Sequence, residues 1–352
     1  MLLIILCASL FILSLKYDNY FLVLLVIIGS IIVITYDNLF YIYLGIELQA
    51  FSTYILLSKN KIEGAEAGLK YFILGSISSG FFLLGLSIIS SNGYSFLINE
   101  LSNLKALVLI LLALFFKLSL FPFYYWIPDI YEGSNWPIIA LLIIPKISIV
   151  AVLLKLVYYF NSNYLVLCSL LSIIVGSIGA FNQSKIKRLL AYSGVTHMGL
   201  IVLPVFLYSY NISYIYLFIY LITLCSFIYV VNYTNPYIIS ISHINIIKKV
   251  TISILLLSMA GVPPFSGFIV KFLVLFSSIS NNYLFSSVII IVLSIISVGF
   301  YLRLLNIIHF KSIDINKWKN VIIEDNNSKY INDYYIGLFL FLVIGFKNFI
   351  LW

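Results

Sequence analysis

Continuous apolar runs, most of them close to 20 residues long, constrain the fold of this chain more than any other feature. About 20 apolar residues are what a helix needs to cross the hydrocarbon core of a bilayer. The mean hydropathy is +1.13, with 63% hydrophobic and 9% charged residues, whereas about a quarter of a soluble domain is charged. A water-soluble enzyme is excluded. A transmembrane β-barrel is excluded too, because its strands alternate polar and apolar residues over about 10 positions.

We therefore predict an all-α, polytopic membrane protein, and 352 residues leave room for on the order of 12 spans. The chain, 1–352, is treated as a single membrane domain that ends in a C-terminal transmembrane helix over 334–351. The polar breaks between apolar runs predict helices near 2–15, 20–35, 38–58, 66–91, 104–125, 136–160, 164–182, 187–208, 212–233, 250–279, 284–309 and 334–351.

Basic residues of the short loops sort to the odd-numbered loops of this twelve-span count, as the positive-inside rule expects. The predicted loop that carries Asp129 and Glu132 is odd-numbered yet acidic, and it is the exception. Trp126, Trp136 and the many tyrosines near the ends of runs fit an interfacial aromatic belt.

Charge and cysteine content argue against several other functions. The net charge of +8 does not indicate a nucleic-acid partner, because nucleic-acid binding needs a basic face in water. Cys7, Cys168 and Cys225 lie in separate apolar runs, so neither a disulfide framework nor a metal or iron–sulfur spacing is present. The sequence has no nucleophile triad, phosphate loop or dinucleotide fingerprint. We predict no redox, hydrolytic or metal site on this chain.

Ionisable side chains inside the apolar runs are the candidate functional residues. A charge at bilayer depth costs from about 2.5 to more than 10 kcal/mol. One histidine could be a core residue and one lysine could snorkel to the interface, but a whole set indicates function. Two of the lysines flank helix-breaking sequence, where freed backbone groups need protein or water partners. The set consists of Glu47, Lys70, Lys117, Lys146, His197 and Lys271.

The spacing of these residues suggests an internal repeat. Glu47, Lys117 and Lys146 stand 70 and 29 positions apart, and His197, Lys271 and Arg303 stand 74 and 32 apart. Five predicted spans separate the two sets, and an odd number inverts the second copy, as in transport folds. We predict inverted repeats over 20–160 and 164–309.

A buried carboxylate and buried amines close together can relay protons. Burial disfavours a charged amine, whereas an ionised carboxylate about 4 Å away returns roughly 4 kcal/mol at an effective dielectric constant of about 20. Opening or closing such a pair would make a lysine release or hold its proton, which predicts an element of a proton pump.

Several sequence blocks resemble a known family, the NADH dehydrogenase subunit 2 family (NADH-ubiquinone oxidoreductase chain 2) of antiporter-like membrane subunits of respiratory complex I. The resemblance covers most of the chain, from about Asp37 to Arg303. It rests on the blocks GIELQAFSTYILL, EAGLKYFILGSISSG, FKLSLFPFYYWIPDIYEGSNWP, PKISIVAVLLKL, QSKIKRLLAYSGVTHMGL and LSMAGVPPFSGFIVKF.

The resemblance implies two inverted five-helix repeats, each with a broken helix, joined by a polar axis in the membrane plane. Two predicted spans precede the glutamate helix, where the family has four, so the first two helices are expected to be lost or supplied by another chain. The candidate residues match the family's glutamate, lysine and histidine positions in type: Glu47, Lys70, Lys117, Lys146, His197 and Lys271.

The implied function is proton translocation coupled to electron transfer from NADH to ubiquinone in the mitochondrial inner membrane. Glu47 and Lys117 are expected to switch, with Lys70 modulating them, and Lys146 and His197 to pass the proton to Lys271. No cofactor is expected on this chain, because FMN, the iron–sulfur clusters and quinone belong to other subunits. Expected partners are the other membrane-arm subunits and lipids such as cardiolipin. The alternative is a subunit of a Mrp-type cation/proton antiporter.

Overall fold

A computed structural model of the chain describes residues 19–59, 62–98, 104–231 and 246–310. The predicted helices over 2–15 and 334–351 lie outside the described residues, as does Cys7. A 3₁₀ turn at Val157–Tyr159 extends the helix Ile143–Leu156. The helices are α1 (Tyr20–Thr35), α2 (Leu39–Ser58), α3 (Ile62–Ser91), α4 (Leu104–Leu118), α5 (Trp126–Gly133), α6 (Trp136–Leu141), α7 (Ile143–Leu156), α8 (Ser162–Phe181), α9 (Ile186–Phe206), α10 (Tyr210–Val231), α11 (Ile246–Ala260), α12 (Ser266–Ser280) and α13 (Leu284–Phe310).

The predicted all-α, multi-pass membrane fold is confirmed. Over the described part of the chain, seven helices are long and apolar enough to cross a bilayer. They include α9, the most enclosed of them, and α3 and α13, which expose most of their surface. Exposed apolar side chains on α3 and α13 are what lipid contact requires, whereas α9 carries His197 through the interior. The count of twelve spans stays a prediction.

Three of the predicted helical runs are interrupted or end early, two of them at the helix-breaking sequence beside Lys117 and Lys271. The run at 104–125 is helical only as far as Leu118, because Ser119 has φ 60° and Pro122 removes a backbone donor, and α5 begins beyond the run at Trp126. The run at 250–279 divides at Gly261, with φ 81°, ahead of two prolines. The run at 136–160 is interrupted after Leu141, the residue whose carbonyl would accept from the missing N–H of Pro145.

The order of the elements repeats along the chain. Three continuous helices, α1 to α3, precede the broken pair α4 and α5 and the closing pair α6 and α7. Three more, α8 to α10, precede the broken pair α11 and α12 and the closing helix α13. The division into two five-helix repeats and their inversion both stay predictions.

Asp129 and Glu132, predicted in a loop, lie within α5 and attach it to α9. Arg188 in the first turn of α9 donates to Asp129 over 2.9 Å and also pairs with Glu132. Lys185, which precedes α9, pairs with Glu132. The acidic exception to the charge sorting therefore has a local cause, because these carboxylates neutralise the basic residues at the start of α9.

Candidate functional site

Four of the predicted site residues are buried inside the helical bundle. Lys117, Lys146, His197 and Lys271 are between 4% and 7% exposed. A fifth residue, Glu47, joins them with a side chain that is 16% exposed. Lysine is almost never fully buried without a partner, so each of these positions requires a local explanation.

Glu47 and Lys117 face each other although they are far apart in the sequence. The Lys117 Nζ lies 3.9 Å from the Glu47 Oε1, and neither atom has a hydrogen-bond partner among the described residues. At this distance and an effective dielectric constant of about 20, the two charges attract by about 4 kcal/mol. The pair is therefore close enough to interact strongly and loose enough to separate.

The ends of two helices position this pair. The side chain of Asn38 accepts from the backbone N–H of Phe40 and so starts α2 ahead of Glu47. Lys117 occupies the last turn of α4, next to the break. The indole of Trp126 donates to the carbonyl of Phe116 over 3.1 Å. The same carbonyl also accepts from the backbone N–H of Ser119 over 2.9 Å, so the indole bond joins α5 to the already bonded end of α4.

Lys70 does not join the other five candidate residues, Glu47, Lys117, Lys146, His197 and Lys271, which together are called the buried row. Its side chain is 47% exposed, and its Nζ lies 2.8 Å from Glu66 and 3.6 Å from Asp129. The prediction that it sits within an apolar interior is wrong, because α3 begins at Ile62 and presents Glu66 and Lys70 together on one exposed face. Within the described residues, Lys70 contacts Asp129 on α5, the helix that follows the first break, and this contact links it to the site.

Lys146 lies on α7 between the two halves of the bundle. Its Nζ stands 5.9 Å from the centroid of the Tyr131 ring, a cation–π geometry. Two residues further along α7, Ser148 bonds with the side chain of Gln49 on α2 over 3.1 Å. This buried bond joins the helix of Glu47 to the helix of Lys146.

Three tyrosine side chains surround His197. Its Nδ1 is 3.0 Å from the hydroxyl of Tyr216, and its Nε2 is 3.5 Å from the hydroxyl of Tyr301. The ring of Tyr220 lies 4.9 Å from the imidazole. Both ring nitrogens therefore have hydroxyl neighbours, which can accept or donate according to the tautomer.

Lys271 reaches back across the second break. Its Nζ donates to the carbonyl of Ala260 over 2.6 Å and to Ser297 over 3.1 Å. Ala260 ends α11, so the amine lies at the negative end of that helix dipole. Gly261 has φ 81°, and a Cβ there would lie 2.7 Å from the Lys271 side chain, so only glycine leaves room for the lysine.

Arg303 departs from the predicted spacing pattern. It is exposed, and its guanidinium donates to the carbonyl of Phe181 at the end of α8 over 2.7 Å. The third member of the second set is therefore a helix cap and does not belong to the buried row. The repeat argument from spacing keeps its first two members, His197 and Lys271.

Several residues predicted for the aromatic belt are buried inside the bundle, and the belt itself stays a prediction. Trp126 and Trp136 are buried, and Trp126 stacks on Tyr71 at 4.8 Å. Nothing in the sequence distinguishes a buried tryptophan or tyrosine from an interfacial one. The chain has 28 tyrosines, and an amphipathic side chain suits either the interior or the membrane interface. Six buried tyrosines accompany the ionisable residues: Tyr54, Tyr71, Tyr131, Tyr216, Tyr220 and Tyr301.

Within the described residues, no group of three or more His, Cys, Asp or Glu side chains converges as metal ligands would. Cys168 and Cys225 are free thiols, and Cys225 is buried. The chemistry that this arrangement offers is the movement of protons between nitrogen and oxygen atoms.

A family model described as "NADH:quinone oxidoreductase/Mrp antiporter, TM" matches residues 37–297. A relative from Metridium senile, "NADH-ubiquinone oxidoreductase chain 2", is 35% identical over 320 residues, which is 83% of this chain and 83% of the relative. A relative from Orientia tsutsugamushi, "NADH-quinone oxidoreductase subunit N", is 32% identical over 80% of this chain and 67% of its own.

The fold also matches a solved structure. A chain of respiratory complex I from Thermus thermophilus, determined with bound aureothin, superposes with a TM-score of 0.82 and 27% identity. The match covers 89% of this chain and 76% of that chain.

Proposed function

The chain belongs to the NADH:quinone oxidoreductase/Mrp antiporter membrane family, and on that premise we propose that it is a proton-translocating subunit of respiratory complex I. The relatives named above are subunits of NADH:quinone oxidoreductases, which supports membership of that enzyme complex. Oxidation of NADH and reduction of quinone would take place on other subunits, where the FMN, iron–sulfur and quinone chemistry belongs.

The contact between Glu47 and Lys117 is the observation that carries the proposal. Two opposite charges lie 3.9 Å apart in the interior without a hydrogen bond to any described residue. A fixed buried ion pair would be expected to satisfy its remaining donors and acceptors. A pair without those bonds is suited to opening and closing, which is the motion that a proton switch needs.

The proposed path runs from this pair along the buried row. When the pair closes, Glu47 stabilises the proton on Lys117; when it opens, the burial of Lys117 favours release of that proton. The proton then passes to Lys146 on α7, to His197 on α9 and to Lys271 on α12. Lys70, together with Asp129, acts on the pair from the exposed side through α5.

Partners and location follow from the same proposal. Other membrane-arm subunits would cover the exposed apolar faces of helices such as α3 and α13, together with lipids such as cardiolipin. We place the complex in the mitochondrial inner membrane, supported by the relative named "NADH-ubiquinone oxidoreductase chain 2". Cell fractionation tests this location, and recovery of the chain in a bacterial cytoplasmic membrane would contradict it.

A second candidate is a subunit of a Mrp-type cation/proton antiporter, favoured by the scope of the family model. The two functions are separated by purifying the intact complex under mild detergent. Flavin and iron–sulfur subunits that co-purify with the chain, and NADH-driven proton uptake in vesicles, support the complex I assignment. A complex without a redox subunit that exchanges cations for protons would overturn it.

A scaffold role is tested separately. If the chain only filled the membrane arm, neutralising Glu47 or Lys271 would change assembly and leave the number of protons per NADH unaltered. We expect the opposite, with assembly retained and proton translocation reduced in the Glu47→Gln variant.

A further inference from the structure

A buried hydrogen bond between Gln49 on α2 and Ser148 on α7 has no part in the proton path proposed above. Gln49 is 1% exposed and Ser148 is 0% exposed. The Ser148 hydroxyl donates its single hydrogen to the carbonyl of Pro145 over 2.8 Å. Its oxygen therefore accepts from the Nε2 of Gln49 over 3.1 Å, and this contact joins two helices through the interior.

A glycine on α1 leaves the space through which Gln49 reaches α7. The helix α1 packs against both α2 and α7. A Cβ at Gly29 would lie 2.7 Å from the Cγ of Gln49 and 2.8 Å from the carbonyl oxygen of Gly45. A side chain at Gly29 would therefore collide with α2 and with the Gln49 side chain. The fold thus keeps α1 close to α2 while the amide extends to Ser148.

The helix α7 contacts both helices that carry the ion pair. The helix of Lys117, α4, packs directly against α7. The helix of Glu47, α2, bonds to α7 through Gln49. The two members of the pair, 3.9 Å apart, are thus held in relation to one common helix, and Lys146 lies on that same helix.

The place of Gln49 along α2 makes the bond a restraint on helix rotation. Successive residues of an α-helix are about 100° apart around its axis, so Gln49 leaves α2 about 200° from Glu47, on nearly the opposite face. A rotation of α2 by about 20° moves the end of a side chain by about 2 Å. If the 3.9 Å separation of Glu47 and Lys117 grew by that amount, their attraction would fall by about one third.

We propose that Gln49 is a positioning residue for the ion pair, a role that rests on the proton-translocating function proposed above. Its bond to Ser148 fixes the rotation of α2 and keeps Glu47 at the distance from Lys117 at which the pair can close. Gln49 neither accepts nor releases a proton and acts through Glu47. A neutral amide suits this place, because it restrains the helix without adding a charge at bilayer depth.

The test uses the assembled complex in sealed vesicles and counts protons translocated per NADH oxidised. Gln49→Met removes the amide and keeps most of the side-chain volume. Ser148→Ala removes the acceptor and leaves the amide of Gln49 buried without it, which is more costly than replacing both partners by apolar groups. The yield of complex should therefore be lower in Ser148→Ala than in the double variant Gln49→Met/Ser148→Ala.

Proton translocation should not follow the order of the yields. Both single variants and the double variant lack the bond, so we expect each to lower the proton count and to slow coupled NADH oxidation by about two- to tenfold. The double variant should be no slower than the slower single variant, because the two residues act through one contact.

Ser169→Ala is the matched control. Ser169 is as buried as Ser148, and its hydroxyl bonds within its own helix, to the carbonyl of Val166 over 2.7 Å. We expect this variant to translocate protons normally. Because the count is taken per NADH oxidised, a lower yield of complex does not alter it.

Two results overturn the inference. The first is a Gln49→Met enzyme with the same proton count and rate as Ser169→Ala. The second is a double variant that regains the yield of complex together with the wild-type proton count, because the bond would then serve assembly alone.

The same vesicles distinguish this inference from the proposed function. If Lys117→Met lowers the proton count and Gln49→Met does not, only the role of Gln49 fails. If neither variant lowers it, proton translocation through this chain fails as well.

Discussion

Replacing Lys117 by methionine removes the positive charge of the pair and keeps most of the volume of the side chain. The Lys117 Nζ lies 3.9 Å from Glu47, so the carboxylate loses about 4 kcal/mol of attraction at an effective dielectric constant of about 20. Since 1.36 kcal/mol is a factor of ten, the closed arrangement of the two side chains becomes about a thousandfold less favoured relative to the open one. The switch is then held in one state.

The assay is the number of protons translocated per NADH oxidised by the assembled complex in sealed vesicles. We expect Lys117→Met to lower this number and to slow coupled NADH oxidation, while the amount of complex is retained. An infrared difference spectrum should show the carbonyl band of a protonated carboxylic acid that Glu47→Gln removes. In the double variant the loss should be no greater than in either single variant, because the two residues act as a unit.

Lys155→Met is the matched control for this experiment. Lys155 also forms an ion pair, 2.6 Å from Asp37, but its side chain is 28% exposed and lies outside the buried row. We expect this variant to translocate protons normally. A Lys117→Met enzyme with full proton translocation would refute the reasoning, whatever the control shows.

Further predictions concern packing, electrostatics and the histidine. Gly267→Ala should lower the yield of assembled complex, since a Cβ there would lie 1.7 Å from the carbonyl of Ser258, whereas Gly80→Ala, with nothing within 4 Å, should not; equal yields would contradict this packing. Glu132→Gln should weaken two ion pairs to the start of α9. The free energy of unfolding should fall by about 1–2 kcal/mol in total, which lowers the thermal unfolding midpoint; an unchanged midpoint would exclude a stabilising role. Tyr216→Phe removes the 3.0 Å contact with the histidine Nδ1 and should slow coupled turnover severalfold at normal assembly; turnover equal to wild type would show that this contact does not position the histidine for proton transfer.

Local features of the sequence were sufficient to predict the helices and where two of them break. The apolar runs fix the spans because lipid selects for length and composition. Pro122 and the Gly261 segment fix the breaks because their backbone cannot continue a helix. The interruption after Leu141 was missed, since one proline inside a long apolar run gives little indication of whether the helix bends or stops.

The buried row was only partly predictable. Glu47 and Lys117 attract attention because a charge in an apolar run is costly, and the structure brings them together. Lys70 has the same sequence context, yet it is exposed, because which face of α3 turns outward depends on tertiary packing. Tyr131 is indistinguishable in sequence from an interfacial tyrosine, since its place beside Lys146 depends on the docking of α5 against α9.

Lys146 is the residue through which every proton must pass if the two halves form one path. Proton counting with Lys146→Met in the assembled complex therefore tests proton transfer along the row most directly. The account predicts fewer protons per NADH than in the Lys155→Met control, with the complex intact. An unchanged number of protons per NADH in Lys146→Met would contradict it.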